Sequence, residues 1–138
     1  MNSPLLRILP YAGTLPFILG TFAKLTGELP MIYFMDMRRI VLSYGVLIVS
    51  FLAGVHWGQY LSGTRGKVNL LVASNVVALV AWFGSLLMLP NQICYLFMAL
   101  FVALYMIDRG LDLDPQYLQT RRNVTLIVCA SLLALSFA

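Results

Sequence analysis

The chain has 138 residues, a formal net charge of +4 and a strongly apolar composition, 61% hydrophobic and 10% charged. Soluble domains carry about 25% charged and about 45–50% apolar residues, and so small a chain leaves much of its surface facing solvent. The composition therefore excludes an ordinary soluble domain and indicates a membrane protein. The nine Lys and Arg residues lie in short clusters between apolar runs, so we interpret them as topology signals and expect no nucleic-acid partner.

Five stretches approach the roughly 20 apolar residues that a membrane-spanning helix needs. The first carries Pro10 and Pro16, which predict a bend or an unwound turn. The segment after it, residues 27–39, mixes Met and aromatic residues with charges and suits the headgroup interface. We predict an all-α membrane protein, a single transmembrane domain over residues 1–138 that forms a bundle of five transmembrane helices with an interfacial segment after the first. The predicted helices are at about 9–26, 40–61, 68–89, 92–107 and 123–138.

Residues 108–122 are predicted to form the one substantial aqueous loop, because they hold three of the five acidic residues. The carboxylates of Asp108, Asp112 and Asp114 have the chemistry to bind a divalent cation, but their spacing is not that of an EF-hand. Ion pairs with the arginines of the same segment explain them as well. We therefore predict no metal site, and we interpret Cys94 and Cys129 as packing thiols. The fifth helix, of about 16 residues, spans only if the bilayer thins or neighbours shield its ends.

Orientation follows from the positive charges near the helix ends, since Lys and Arg favour the cytoplasmic side. On a five-span topology the amino-terminal side has six such residues and the other side three. We predict a cytoplasmic amino terminus and a periplasmic carboxyl terminus. The first residues lack the Arg- and Ser-rich character of a transit peptide, which favours a bacterial inner membrane. The six are Arg7, Arg65, Lys67, Arg109, Arg121 and Arg122; the three are Lys24, Arg38 and Arg39.

Polar residues within the predicted spans gather in the half of the bilayer next to the cytoplasm. His56 is the only histidine, and an ionisable residue in a membrane helix usually faces the bundle interior or a wet cavity. It either has a function there or hydrogen-bonds a neighbouring helix, with Asn75 or Tyr105 as its partner. One histidine gives neither a zinc site nor bis-histidine haem, so we expect no cofactor. The predicted ligand-binding or polar cluster comprises Tyr11, Ser50, His56, Trp57, Asn75, Tyr105, Asp108 and Arg122.

Small residues predict where helices approach closely, because packing rather than the hydrophobic effect holds membrane helices together. Gly54 and Gly58 form a small-xxx-small pair on the second predicted helix. Ser74, Ala78, Ala81 and Ser85 form a stripe on the third. These two helices are therefore predicted to pack tightly against each other.

Three segments, YAGTLPF (residues 11–17), YGVLIVSFLAGVHWG (44–58) and DRGLDLDPQYLQTRRNVTL (108–126), occur in one order along nearly the whole chain. Together they resemble the domain-of-unknown-function 3429 family, which includes small membrane proteins similar to transmembrane protein 69. Ala53 stands where that family usually has Gly, and Gln116 where it usually has Trp. The resemblance implies a five-helix membrane protein and no particular mechanism, since the family has no established activity.

Three functions are compatible with these features. The first is an accessory subunit or assembly factor that packs against a larger membrane complex, favoured by the small size, the packing stripes and the lack of a catalytic set. The second is a binder or transporter of a small molecule, such as a quinone, a lipid or a proton-coupled solute, with a polar cavity open to the cytoplasmic side. The third is an intramembrane enzyme with His56 as general base and Asp108 orienting it, which requires the two side chains to lie within hydrogen-bond reach. We favour the first and predict no enzymatic activity, with the lipid bilayer and a larger membrane protein complex as partners.

Overall fold

The computed structural model describes residues 4–27, 31–32 and 35–137. In this part of the chain, six α-helices form a bundle, and one two-residue antiparallel pair lies between the second and third helices. In the pair, Met31 is opposite Asp36 and Ile32 is opposite Met35; the remainder of the predicted interfacial segment, residues 28–30 and 33–34, lies outside the described residues. The elements are α1 (Pro4–Ala12), α2 (Leu15–Thr26), β1 (Met31–Ile32), β2 (Met35–Asp36), α3 (Met37–Leu61), α4 (Leu70–Leu87), α5 (Pro90–Arg109) and α6 (Pro115–Ser136).

The first predicted helix is broken into α1 and α2, as its two prolines predict. The chain turns at Gly13 and Thr14, and Pro16 follows within the first two positions of α2. Proline has no N–H to continue the hydrogen-bond ladder but is tolerated in the first turn of a helix. The break therefore falls where interrupting the helix costs the fewest backbone hydrogen bonds.

N-terminal capping residues determine where two of the helices begin, and the apolar segments of the sequence do not show these positions. Asp36 caps α3 by accepting a 2.8 Å bond from the backbone N–H of Arg38, so α3 begins at Met37 rather than near 40. Asp114 caps α6, with Pro115 as its first residue. The predicted aqueous loop at 108–122 is thus wrong over most of its length, and so is the short fifth helix, because α6 has 22 residues. At 1.5 Å per residue it is roughly 33 Å long.

Four stretches of the described chain are long and apolar enough to cross a membrane, which identifies the chain as a helical membrane protein by the length and composition of its helices. Helix α6 is not among them, because polar residues occupy its first two turns. The four are Ile8–Thr26, Met37–Leu61, Leu70–Leu87 and Pro90–Arg109.

Helices α3 and α5 run in the same direction. Near their starts the Arg38 guanidinium donates a 3.0 Å bond to the side-chain oxygen of Asn91, and near their ends His56 meets Asp108. We call the end where α3 and α5 begin the Arg39 end and the opposite end the His56 end. Helix α3 packs against α2, α4 and α5, and α6 packs against α1, α2 and α5.

The core between the two ends is built on aromatic rings. Phe17 is fully buried, with the rings of Phe101 and Tyr44 edge-on to it at centroid distances of 5.8 and 5.2 Å. The absence of a side chain at Gly45 lets the Phe97 ring pack closely against α3, because a Cβ at Gly45 would lie 2.7 Å from that ring. Large apolar side chains on every helix remain exposed, as expected where lipid is the solvent.

Candidate functional site

Three ionisable side chains from three helices meet in the interior at the His56 end. His56 on α3 and Asp108 on α5 lie 2.7 Å apart, Nε2 to Oδ1. Arg121 on α6 donates from Nε to the other carboxylate oxygen, Oδ2, at 2.9 Å. The side chains are 2%, 2% and 5% exposed, respectively. We call these three residues the buried triad.

Each member of the buried triad lies on the face of its helix that packs into the bundle. His56 follows the buried Ala53 by three residues, Asp108 follows the buried Leu104 by four, and Arg121 precedes the buried Thr125 by four. Residues three and four apart share a face of a helix. Arg121 is available because α6 begins at Pro115, so it lies in the second turn of a helix rather than in a loop.

The ion pair decides the hydrogen-bond roles in the buried triad. The Asp108 carboxylate and the Arg121 guanidinium form an ion pair, so the carboxylate accepts at both contacts and His56 donates from Nε2. Where the imidazole is neutral, Nδ1 carries a lone pair. A buried carboxylate with two charge-assisted partners is the arrangement that makes a charge tolerable inside a membrane protein.

Four buried polar atoms at the His56 end have no hydrogen-bond partner in the described part of the chain. Two are nitrogens of the triad, His56 Nδ1 and Arg121 Nη2, and the others are Gln59 Oε1 and Thr125 Oγ1; a fifth such atom, Arg38 Nε, lies at the Arg39 end. Gln59 lies one turn from His56 on α3, and Thr125 lies one turn from Arg121 on α6. A buried polar atom without a partner costs roughly 1–3 kcal/mol. The set contains acceptors (Nδ1, Oε1), a donor (Nη2) and a hydroxyl that is either, so it suits a molecule that also has both.

Asp108 lies within hydrogen-bond reach of His56, which the enzyme hypothesis requires, whereas the predicted partners of His56, Asn75 and Tyr105, make no hydrogen bond to it. Asn75 is exposed and donates only to the carbonyl of Leu71 in its own helix, at 2.9 Å. Tyr105 is half-buried and makes no hydrogen bond to a described residue. The basic residue of the site is Arg121, whereas the predicted Arg122 is exposed.

The other predicted members of the polar cluster also lie outside the triad. Tyr11 is on the surface, where its hydroxyl accepts a 3.0 Å bond from the Asn123 amide. Trp57 is 42% exposed. Ser50 is exposed and belongs to a groove nearer the Arg39 end. Within the described residues, no three His, Cys, Asp or Glu side chains are grouped so that they could hold a metal ion.

The prediction that Gly54 and Gly58 mediate helix packing does not hold within this chain. Both are exposed, and a Cβ at either position would meet nothing within 4 Å. Close approach occurs instead at Gly20 against Val41, at Gly45 against Phe97 and at Gly84 against Leu96. The stripe on α4 does lie toward the bundle: Ser74 and Ala81 are buried, and Ala78 and Ser85 are half-buried.

Arg121 is the residue that sequence reasoning missed as a site residue. A usable signal was the apolar spacing of Val124, Val128, Leu132 and Leu135, all buried on one face of α6. Extended by one turn toward the amino terminus, that face reaches Arg121. Because the fifth helix was predicted to begin at Asn123, Arg121 was assigned to the loop.

The charged residues at the Arg39 end form a simpler contact. Lys24 lies 3.0 Å from Asp36, whose side chain is 45% exposed. Burial by itself would raise the pKa of Asp36, but the backbone N–H of Arg38 and the Lys24 ammonium together lower it below the usual value. This pair closes the connection between α2 and α3 and is a surface ion pair, not a site.

Comparison with known proteins identifies a family whose function is unknown. No curated protein and no solved structure matched the chain. A family model described as "Protein of unknown function (DUF3429)" matches residues 3–137. Since that match covers nearly the whole sequence, the chain belongs to the DUF3429 family of proteins of unknown function.

Proposed function

We propose that this membrane protein binds a small polar molecule at the buried triad, close to the membrane surface at the His56 end. The observation that carries the proposal is the set of four unpartnered polar atoms that belong to the triad or lie one helical turn from it, beside the Asp108–Arg121 ion pair. His56 lies five residues before the end of α3 and Asp108 one residue before the end of α5. The site is therefore within about 8 Å of the helix ends, at 1.5 Å per residue.

The balance of charge favours a ligand without net charge. Asp108 and Arg121 neutralise each other, so an added ion would remain uncompensated in a region of low dielectric. A neutral molecule with a donor for His56 Nδ1 or Gln59 Oε1 and an acceptor for Arg121 Nη2 would satisfy these atoms without that penalty. The same site suits the binder or transporter hypothesis better than the enzyme hypothesis, because no described nucleophile contacts His56.

The test is to identify small molecules that co-purify with the full chain in mild detergent. The informative variants are Thr125→Val and Gln59→Met, which remove an unpartnered atom and leave the buried triad intact. Asn75→Val is the control, since it removes an exposed amide at the same end of the bundle. Wild type and Asn75→Val are expected to retain one organic molecule at near-stoichiometric amount, and the two site variants to lose it at least about tenfold, as a loss of roughly 1.4 kcal/mol implies.

Two outcomes would overturn the proposal. One is extraction of no organic molecule above the detergent blank, with a high-resolution density map that shows only ordered water at His56 Nδ1. The other is equal retention of the same molecule by wild type and both site variants.

We also propose a topology of five spans in a bacterial inner membrane with the amino terminus in the cytoplasm. The 22 residues of α6 give it the length to cross the hydrocarbon core, with its polar first two turns at the membrane surface. Arg121 is neutralised in the interior and no longer counts as a topology signal, so the tally becomes five against three. Alkaline phosphatase fused after Ala138 is expected to be active in the periplasm, and activity only of a fusion in the 62–69 connection would reverse the orientation.

The accessory-subunit role stays a prediction. Exposed apolar side chains occur on all the helices, and lipid covers such a surface as well as a protein partner does. No patch among the described residues distinguishes the two.

A further inference from the structure

A groove on the opposite half of the molecule opens beside α3. Its volume is about 800 Å³, and it lies between the first half of α3 and the connection from α4 to α5. Its walls are mainly aliphatic, and that volume is within the roughly 300–1,000 Å³ of small-molecule sites. The apolar lining residues include Leu42, Val46, Leu47, Leu86, Met88 and Ile93.

A polar line runs down the α3 side of the groove. Arg39, Ser43 and Ser50 are spaced by four and seven residues, so they share one face of the helix. All three side chains are exposed, and none makes a hydrogen bond or ion pair with a residue that the structure describes. The groove therefore has free donors along an otherwise aliphatic wall.

The charge and length of the groove identify its occupant. Arg39 is at the membrane-surface end and no carboxylate lines the groove, while the nearest acidic residue on the chain, Asp36, is already paired with Lys24. From Arg39 to Ser50 the helix rises about 16 Å, which is close to half the roughly 30 Å hydrocarbon core. One leaflet of lipid has that depth, with its phosphate at the level of Arg39.

We propose that this groove is a specific site for one anionic phospholipid, with its phosphate on Arg39 and an acyl chain against Leu42, Val46 and Leu47. Ser43, one helical turn deeper than Arg39, bonds a glycerol or ester oxygen, and Ser50 lies beside the acyl chain. The site is separate from the buried triad, which lies at the other end of α3, and it requires no property of that triad.

Lipid titration followed by native mass spectrometry tests this site on the full chain in detergent. The probes are phosphatidylglycerol and phosphatidylcholine with identical acyl chains. Wild type is expected to bind one phosphatidylglycerol about fivefold more tightly than phosphatidylcholine, the factor that one interfacial positive charge supplies. Arg39→Gln is expected to remove this preference, and Ser50→Phe, which fills the groove, to weaken both lipids.

Matched controls distinguish a specific lipid site from ordinary lipid contact at the protein surface. Arg122→Gln removes an exposed arginine at the other end, and Val76→Phe adds the same ring at an exposed position on α4; both are expected to bind like wild type. Equal affinity for the two lipids, an unchanged preference in Arg39→Gln, or a second protein copy that covers the groove and excludes lipid would overturn the proposal.

Discussion

The paired ionisable side chains at the two ends of the bundle differ in how deeply they are buried. The His56 end has, besides exposed charges, three ionisable side chains in the interior, His56, Asp108 and Arg121, which are almost fully buried and bonded to one another. At the Arg39 end the charges are at the surface, where Lys24 pairs with a half-exposed Asp36. Burial makes each partner of the first set indispensable to the others, whereas water screens the second set. The same residue types should therefore give large effects at one end and small effects at the other.

The largest expected effect is that of Asp108→Asn. This change leaves the Arg121 guanidinium uncompensated in the interior, and breaking a buried pair in this way costs about 3–5 kcal/mol. The free energy of unfolding in mixed detergent micelles measures it. The same substitution at the exposed Asp112 is the control and should be nearly neutral.

Replacing the whole buried triad by leucine sharpens this prediction. If the cost of Asp108→Asn comes from an orphaned charge, the triple replacement of His56, Asp108 and Arg121 should recover most of the lost stability, as apolar replacements of buried ion pairs often do. If the triple variant is no more stable than Asp108→Asn, the attraction among the three side chains exceeds the free-energy cost of removing them from water.

Glycines give the next largest contrast between the two halves. Gly45→Ala is expected to destabilise by about 1–3 kcal/mol, because the new methyl group would clash with the buried Phe97 ring. Gly54→Ala is expected to stabilise by about 0.5–1 kcal/mol, since the position is open and alanine is the better helix former. Unfolding in the same micelles measures both, and destabilisation by Gly54→Ala would restore a packing role for that residue, for example in an oligomer.

The same substitution at two buried threonines is expected to change the free energy of unfolding in opposite directions. Thr125 has an unpartnered hydroxyl at the His56 end, so Thr125→Val should stabilise the protein, washed free of small molecules, by about 1 kcal/mol. Thr21 donates to the carbonyl of Ser131 at 3.3 Å, so Thr21→Val should cost about 0.5–1 kcal/mol. The two changes in unfolding free energy check this, and a loss in both would mean that Thr125 has a partner.

The smallest effect is expected at Asp36. Its pKa is lower in the folded state, so the hydrogen bond from the Arg38 backbone N–H and the ion pair with Lys24 contribute stability above the ordinary carboxyl pKa of about 3.9, and this stability is lost as the pH falls through the folded value. The contribution is below about 1 kcal/mol, since half-exposed pairs are screened. The unfolding free energies of wild type and Asp36→Asn should differ at pH 7 and converge as the pH falls below about 4; a difference that does not change with pH would mean that the charge of Asp36 contributes nothing.

Sequence reasoning identified the residue types that matter at the His56 end but not their arrangement. His56 and Asp108 were predicted to be members of one polar cluster because they are ionisable residues at similar depth in apolar stretches. Arg121 was missed because the start of α6 depends on Asp114 as a cap and Pro115 as first residue. A single residue of register decides whether Arg121 or Arg122 faces the interior, and an uncertain helix start cannot supply that register.

The groove at the Arg39 end was not foreseen at all, although Ser50 was named for the wrong site. The sequence shows a serine on an apolar helix, and its position alone did not tell which face of α3 it occupies. Only the packing of the α4 to α5 connection beside α3 places Arg39, Ser43 and Ser50 along an open cavity.

The amino-acid sequence by itself determined the membrane character of the chain and the break between Pro10 and Pro16, because these depend on composition and on local backbone chemistry. Tertiary structure decided which side chains meet. The pairing of His56 with Asp108 joins residues 52 apart in the chain, and the close approach at Gly45 rather than Gly54 depends on which face of α3 meets α5. Such contacts follow from the mutual rotation of helices in the bundle, and no local pattern encodes that rotation.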